Sequence, residues 1–336
     1  MRRPPGRGIT DLVERLLTVA EVYAPVERDQ SVVFDRIESA REAAIDRGPA
    51  ALSPKNLVFP RCEMLLSSST RGDESGRAPD PGPGGPRVLF GVRPCDARAI
   101  ALLDRILGGG EKTDSYYIRR RESLVVISIG CTESLETCFC ETTGGGPRST
   151  EGSDILLEDL GDRCEASIIT EKGVWLAGQI GLEHDPAGAR TPRGPAPPAG
   201  PAADLAELKK RLDRSFEDQC WRDIALKCIG CGVCTFLCPA CHCFDVIDEE
   251  TAGVRVRSRI WDSCQFPAFT EQASGYNPRP SAAERFRQRV MHKFSYCIER
   301  YGMPGCVGCG RCVSRCPVNL DIRTVTASFL GDGGEP

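Results

Sequence analysis

The chain has 336 residues with 43 basic and 47 acidic side chains, which gives a net charge of −4. That length predicts two domains, and the near-neutral balance gives no reason to expect a nucleic-acid or anionic-membrane partner. No apolar run is long enough to span a bilayer, and prolines and charges interrupt the apolar region that a secretory signal needs. We therefore expect a soluble cytoplasmic protein without membrane insertion.

The front half alternates strand and helix patterns. The stretch VLFGVRPCDARAIALLDRILGGG from Val88 predicts a strand, a sharp turn and a helix, and SLVVISIGC from Ser123 predicts a buried strand. This alternation predicts an α/β domain over residues 1–185. Within it, the proline- and glycine-rich residues 67–87 are expected to be a loop insertion, and residues 186–203 after it are expected to be a proline/alanine/glycine linker.

Four front-half cysteines fall at turns of this predicted domain. Cys95 is expected at the start of a helix, where the helix N-terminus favours a thiolate. Cys131, Cys138 and Cys140 follow a predicted strand in GCTESLETCFC. Four thiolates are the number that one [4Fe–4S] cluster needs, so these residues are candidates for a third cluster. The alternative is that each is a small buried apolar residue.

Residues 204–330 form the second predicted domain. A helix is predicted from Ala203 to Lys227, and AGVRVRSRIWD alternates like a strand or hairpin arm. A second helix is predicted over 281–301, with Ser281 as N-cap and Glu284 completing a capping box. Because each helix precedes a cysteine motif, we expect an α-helical ferredoxin-like domain rather than a small β-rich one.

The two cysteine motifs are matching runs of C-x2-C-x2-C-x3-C-P. Their cysteines are Cys228, Cys231, Cys234 and Cys238 in the first run, and Cys306, Cys309, Cys312 and Cys316 in the second. Nineteen cysteines in a reducing compartment indicate metal or redox chemistry rather than disulfides. Zinc sites use two C-x2-C pairs and need neither a third x2 step nor a following proline. The duplicated run therefore predicts two [4Fe–4S] clusters.

In two-cluster ferredoxins the fourth cysteine of each run binds the other cluster. This rule predicts that Cys228, Cys231, Cys234 and Cys316 bind the first cluster, and that Cys306, Cys309, Cys312 and Cys238 bind the second. Three further cysteines, Cys241, Cys243 and Cys264, have no assigned partner. They could complete another metal site, act as docking or redox thiols, or pack beside the first cluster.

Several motifs taken together resemble a known family. They are GVRPCDARAI, YYIRRRE, CFC, CIGCGVCTFLCPACHCFDV, WDSCQFPAFT, ASGYNPRP, RQRVMHKFSY and CVGCGRCVSRCPV. The chain resembles the iron–sulfur β subunit of cytoplasmic NiFe sulfhydrogenases and its relative, the iron–sulfur subunit of anaerobic sulfite reductase. The resemblance covers most of the chain from about Pro54 onward, apart from the two low-complexity segments.

The resemblance implies a non-catalytic subunit of anaerobic metabolism. It implies an electron relay between a flavin- and NAD(P)H-binding reductase subunit and a catalytic subunit of hydrogenase or sulfite/sulfur reductase type. It also carries the eight motif cysteines over as cluster ligands. One alternative is a self-standing iron–sulfur oxidoreductase that uses flavin or a reactive Cys95 in the α/β domain. A second is a redox-sensing regulator, although the charge balance and the absence of a basic helix disfavour DNA binding.

Overall fold

The computed structural model describes residues 7–69, 84–159, 164–182 and 204–331. The predicted linker 186–203 and most of the predicted loop insertion 67–87 lie outside these residues. The described chain divides into two compact units. The first unit comprises 7–55, 84–159, 164–182 and 307–310, and the second comprises 56–69, 204–306 and 311–331.

Both units contain helices and strands, which are numbered here in chain order. The helices are α1 (Arg7–Leu17), α2 (Pro94–Leu107), α3 (Ser115–Glu122), α4 (Glu171–Gln179), α5 (Leu205–Arg214), α6 (Cys220–Ala225), α7 (Val233–Phe236), α8 (Ala282–Met291), α9 (Cys297–Tyr301), α10 (Arg311–Ser314) and α11 (Ile322–Leu330). The strands are β1 (Glu21–Arg28), β2 (Ser31–Ile37), β3 (Cys62–Ser69), β4 (Arg87–Val92), β5 (Leu124–Ile129), β6 (Ile155–Asp159), β7 (Cys164–Ile168), β8 (Phe244–Thr251) and β9 (Val254–Trp261).

The first unit is built on a six-stranded sheet in the order β2-β1-β4-β5-β6-β7. The four central strands run parallel, and β2 and β7 add antiparallel edges through hairpins. Strands β4 and β5 are buried along their whole length, as parallel strands covered on both faces require. The α/β fold predicted for the N-terminal region is therefore confirmed.

Helices α1 and α4 cover one face of this sheet. Leu16 of α1 and Leu176 of α4 are fully buried in the same apolar cluster as Phe90 of β4. Helix α2 follows β4 directly and begins at Pro94, whose fixed φ and missing N–H suit the first turn of a helix. The strand, turn and helix predicted from Val88 are therefore present.

The second unit contains a three-stranded antiparallel sheet in the order β3-β9-β8. Strands β8 and β9 form the hairpin that the alternating stretch AGVRVRSRIWD predicts. Strand β3 pairs with β9 from Cys62↔Ile260 to Ser69↔Val254. The structure differs from the predicted single domain over 1–185, because the pairing of β3 with β9 makes residues 56–69 part of the second unit. The predicted loop 67–87 is wrong at its two ends, because residues 67–69 belong to β3 and Arg87 begins β4.

The helix predicted from Ala203 to Lys227 is divided into α5 and α6. Helix α5 ends with Ser215 as its C-cap, and α6 begins at Cys220. The indole of Trp221 donates a hydrogen bond to the Ser215 carbonyl at 2.8 Å and packs against Phe329, with ring centroids 4.9 Å apart. Burial of this large side chain accompanies the break, which helical periodicity alone does not reveal.

The helix predicted over 281–301 is present with one irregularity. Ser281 and Glu284 form the predicted capping box. Between α8 and α9 the chain forms a π-helical turn, His292–Tyr296. Such turns widen the helix by one residue and are frequent at functional sites. This turn carries the buried Lys293.

No helix among the described residues combines the length and apolar character needed to cross a bilayer.

Candidate iron–sulfur sites

The first cysteine motif forms a tight loop that ends in the short helix α7. Gly230 and Gly232 have φ angles of +67° and +74°, a region that favours glycine. A Cβ atom on Gly232 would also lie 2.8 Å from the ring of Phe266. The glycines between the cysteines therefore allow both the turn and the close approach of a neighbouring ring.

Four cysteines line one cavity of the second unit. They are Cys228, Cys231 and Cys234 from the first motif and Cys316 from the second. The cavity has a volume of about 30 Å³. Its four cysteines are the set that the exchange of fourth cysteines predicts for the first cluster. The structure brings them together although Cys316 belongs to the other motif.

A buried arginine borders this cavity. Arg289 is 4% exposed, and its Nε has no hydrogen-bond partner in the described structure. Burial acts to lower the pKa of Arg289, but the surrounding thiol groups, led by Cys234 and Cys312, outweigh burial and raise it. A buried cation requires nearby negative charge, which thiolates bound to a cubane supply. The donor set and the orphaned guanidinium nitrogen therefore fit an anionic iron–sulfur cluster.

Two cysteines predicted for the second cluster meet around a lysine. Lys293 Nζ donates a hydrogen bond to Cys238 Sγ at 3.2 Å and another to the Gly305 carbonyl at 2.9 Å. Cys238 and Cys306 are buried. Burial acts to lower the pKa of Lys293, but nearby thiols, including Cys238 and Cys306, outweigh burial and raise it. Lys293 therefore connects the end of the first motif to the residue that precedes the second. A third predicted ligand, Cys312, lies on α10 of the same unit.

The remaining predicted ligand, Cys309, lies in segment 307–310 of the first unit. The Phe139 amide donates a hydrogen bond to the Gly308 carbonyl at 2.8 Å. Gly308 and Gly310 have φ angles of +64° and +74°. A Cβ atom on either glycine would overlap the loop that carries Cys138 and Cys140. The glycines of the second motif thus permit this close packing.

Replacing Gly308 by alanine is expected to open this contact. The added Cβ would overlap the backbone of Phe139 and Cys140, and the positive φ adds strain of about 1–3 kcal/mol. Hydrogen exchange measured by mass spectrometry should show faster exchange at the Phe139 amide. Gly275→Ala is the matched control, because Gly275 also has a positive φ but no atom within 4 Å of an added Cβ. Unchanged exchange at Phe139 in the Gly308 variant would contradict the packing described.

Three of the four front-half cysteines lie close together in the first unit. Burial, followed by Cys131 and Cys138, raises the pKa of Cys140 to about 11. Burial also raises the pKa of Cys131, while Arg93 at the N-cap of α2 opposes that shift. Cys95 is the second residue of α2, as predicted. The structure thus gathers three thiols near the start of this helix, and their role as ligands stays a prediction.

A second cavity of about 20 Å³ contains the cysteines to which the sequence assigned no single role. It is lined by Cys241, Cys243 and Cys264 together with Arg289, His292 and Lys293. The Cys241 side chain hydrogen-bonds with Cys238, and the Cys243 side chain hydrogen-bonds with Cys264. Cys264 also contributes, after burial, to the raised pKa of Cys234. Cys264 thus lies beside Cys234 of the first predicted set, as the packing alternative expects, whereas Cys241 lies beside Cys238 of the second.

The described cysteines do not have the arrangement of a single-ion site. In the part of the chain that the structure describes, no group of three His, Cys, Asp or Glu side chains converges closely enough to hold one metal ion. A structural zinc site needs four ligands around one ion, whereas the ligands of a cubane bind four separate irons.

Sequence reasoning missed Arg289 and Lys293. The apolar stripe over 281–301 is sufficient to predict the helix, but it assigns no role to the basic residues between the apolar positions. The missed signal is their spacing: Arg285, Arg289 and Lys293 recur every four residues, which puts them along one side of a helix. All three are buried.

Comparisons with known proteins find iron–sulfur relatives of this chain. The 4Fe-4S dicluster domain family matches residues 227–320. The chain is 32% identical over 323 residues to sulfhydrogenase 2 subunit beta of Pyrococcus furiosus, which covers 93% of this chain and 92% of that protein. A weaker match to D-2-hydroxyglutarate dehydrogenase of Pseudomonas putida, 25% identical over 162 residues, covers 44% of this chain and 16% of that protein. No solved structure matches the chain.

Proposed function

The chain belongs to the family of iron–sulfur β subunits of sulfhydrogenases, and we propose that it is a non-catalytic electron relay of a cytoplasmic complex. Electrons would pass one at a time between a flavin- and NAD(P)H-binding reductase subunit and a catalytic subunit of hydrogenase or sulfite/sulfur reductase type. Membership in the family supports an iron–sulfur, electron-transfer role within an oxidoreductase complex. The identities of the two partners are the finer part of the proposal.

The cavity lined by four cysteines carries the proposal. Cys228, Cys231, Cys234 and Cys316 would hold the first [4Fe–4S] cluster there. The second cluster would be held by the remaining motif cysteines: Cys306, Cys309, Cys312 and Cys238. When bound, such clusters accept and release single electrons. No substrate pocket is required for that task.

The residues of the chain would position the clusters and control their surroundings. Burial of Cys238 and Cys306 keeps water away from the second site, and hydrogen bonds to sulfur influence the reduction potential. The first site is closer to solvent, since Cys231 is exposed and the neighbouring Ile229 is 65% exposed. This exposure supports the first site as the end of the relay at which electrons enter or leave the chain.

We propose the front-half cysteines as ligands of a third [4Fe–4S] cluster. After burial, Cys138 contributes to the raised pKa of both Cys131 and Cys140, and this closeness supports the assignment for three of the four. Cys95 would be the fourth ligand, from the first turn of α2. Iron content separates this proposal from the alternative of packed thiols.

Quantification of iron and acid-labile sulfide in protein prepared without oxygen tests these assignments. Two clusters predict about eight irons per chain and three predict about twelve. A chain with twelve irons should fall to eight in Cys140→Ser. Cys62→Ser is the matched control, because Cys62 is exposed and outside every predicted ligand set. A colourless chain that binds zinc in place of iron would exclude the relay.

The same preparation distinguishes the relay from a self-standing enzyme. The clusters should be reduced by NAD(P)H only after a flavin-containing reductase partner is added, as followed by the loss of their visible absorption. The isolated chain should show no flavin spectrum. A bound flavin, or turnover of NAD(P)H by the chain alone, would favour the alternative of an oxidoreductase with its own active site.

A further inference from the structure

Helix α8 and the π turn carry two buried cations one helical turn apart. Arg289 is 4% exposed and Lys293 is 5% exposed. Neither makes an ion pair with a carboxylate in the described structure: the partners of Lys293 are a thiol and a carbonyl, and the Nε of Arg289 has none. An isolated buried charge is costly, so two such cations indicate that anionic groups belong beside them.

Lys293 is held against the second predicted cluster. Its Nζ bonds to Cys238 Sγ and to the Gly305 carbonyl, and its own carbonyl accepts the Gly305 N–H at 2.7 Å. A Cβ atom on Gly305 would lie 3.1 Å from Lys293 Cα and 2.8 Å from Cys297 Sγ. Lys293 is therefore packed against the residue that precedes the second motif, and its ammonium group lies next to Cys238.

Arg289 instead faces both cysteine-lined cavities of the second unit. It lines the first cavity with Cys228, Cys231, Cys234 and Cys316, and it also lines the cavity that contains Cys241 and Cys264. The thiols that act on it belong to both predicted ligand sets, with Cys234 from the first set and Cys312 and Cys238 from the second. Arg289 therefore lines the first site directly and is near the second through the cavity of Cys241, whose side chain hydrogen-bonds with Cys238.

A fixed buried cation changes the reduction potential of a neighbouring cluster. Reduction adds one negative charge, and that charge is stabilised by a nearby cation more strongly in a protein interior than in water. Removing the cation should therefore make reduction harder. The size of the effect should follow proximity, so a cation that faces one cluster should affect that cluster most.

We propose that Arg289 and Lys293 are positioning residues that set the reduction potentials of the two clusters, Arg289 for both and Lys293 for the second alone. This inference rests on the proposed function, since it requires that clusters occupy the predicted cysteine sets. It goes beyond the ligand assignment because it gives the two cations separate and unequal effects.

Redox titration followed by electron paramagnetic resonance tests the proposal in the full chain. Lys293→Gln keeps a hydrogen-bond donor but removes the charge, and it should lower the reduction equilibrium constant of the second cluster at least tenfold, which is about 59 mV for one electron. The potential of the first cluster should change much less. Arg289→Gln should lower both potentials. Lys293→Arg, which keeps the charge, should restore the potential of the second cluster toward its original value.

Arg300→Gln is the matched control, because Arg300 follows on the same helical segment but is exposed. It should leave both potentials unchanged. Signals are assigned to clusters with Cys228→Ser and Cys306→Ser, and iron is measured in every variant.

Full iron content with unchanged potentials in Lys293→Gln would overturn the inference and leave the relay intact. Loss of the second cluster in both Lys293→Gln and Lys293→Arg would also overturn it, since the lysine would then be needed for assembly rather than for charge. An original chain without iron would overturn the proposed function itself.

Discussion

Cys316→Ser is expected to remove the same cluster signal that Cys228→Ser removes. The two residues are far apart in the chain, but their side chains line one cavity with Cys231 and Cys234. If both supply ligands to one cubane, each variant should lose iron from that same cluster and retain about four to seven of the eight irons of the pair. Cys238→Ser should instead remove the signal that Cys306→Ser removes.

Cluster-resolved electron paramagnetic resonance, together with iron content, measures this pairing. Cys62→Ser serves as the control for a cysteine change outside both sites. If each motif bound its own cluster, Cys316→Ser would match Cys306→Ser instead, and the exchanged ligation would be excluded. A cubane that retains three cysteine ligands can lose one iron, so the comparison depends on which signal changes and not on the iron count alone.

Glu63→Ala is expected to produce the largest loss of stability in the second unit. Glu63 and Arg259 form an ion pair between β3 and β9, with side chains that are 1% and 4% exposed. The Arg259 guanidinium also lies over the rings of Phe59 and Phe244. Removing the carboxylate takes the ion-pair partner from this buried cation, which costs about 3–5 kcal/mol.

Hydrogen exchange at the β3 and β9 amides measures the expected loss. A loss of that size corresponds to an acceleration of about two to four orders of magnitude where exchange requires opening of the sheet. Asp248→Ala is the matched control, since Asp248 pairs with Arg257 across the adjacent hairpin but both side chains are exposed. The control should change exchange little. Equal behaviour of the two variants would show that burial does not govern the Glu63 pair.

Helices and strands that are specified by one continuous stretch of sequence could be predicted from that stretch alone. The apolar run before Pro94 was sufficient for β4 and α2, and Ser281 with Glu284 was sufficient for the start of α8. The pairing of β3 with β9 joins distant parts of the sequence, and nothing in residues 62–69 indicates its partner. The domain boundary was therefore not predictable at that point.

At the candidate site, too, some features follow from sequence patterns and others depend on the tertiary fold. The spacing rule for duplicated motifs predicted the four cysteines that line the first cavity, although Cys316 is distant from the others in the chain. Arg289 and Lys293 could not be assigned in this way, because their targets are sulfur atoms brought near them by the tertiary fold. A basic residue on a helix is usually solvated, and the four-residue spacing of Arg285, Arg289 and Lys293 gives their common side of the helix but not what that side contacts.

The first cavity has a consequence for folding. Cys228 and Cys316 bracket most of the second unit, so on the proposed ligation the iron–sulfur bonds act as a cross-link that closes a long loop. In the chain-entropy treatment, such a closure removes about 4–5 kcal/mol of freedom from the unfolded chain. Iron delivery would then complete the fold of this unit as well as equip it for electron transfer, and damage to the cubane would release both ends of the unit together.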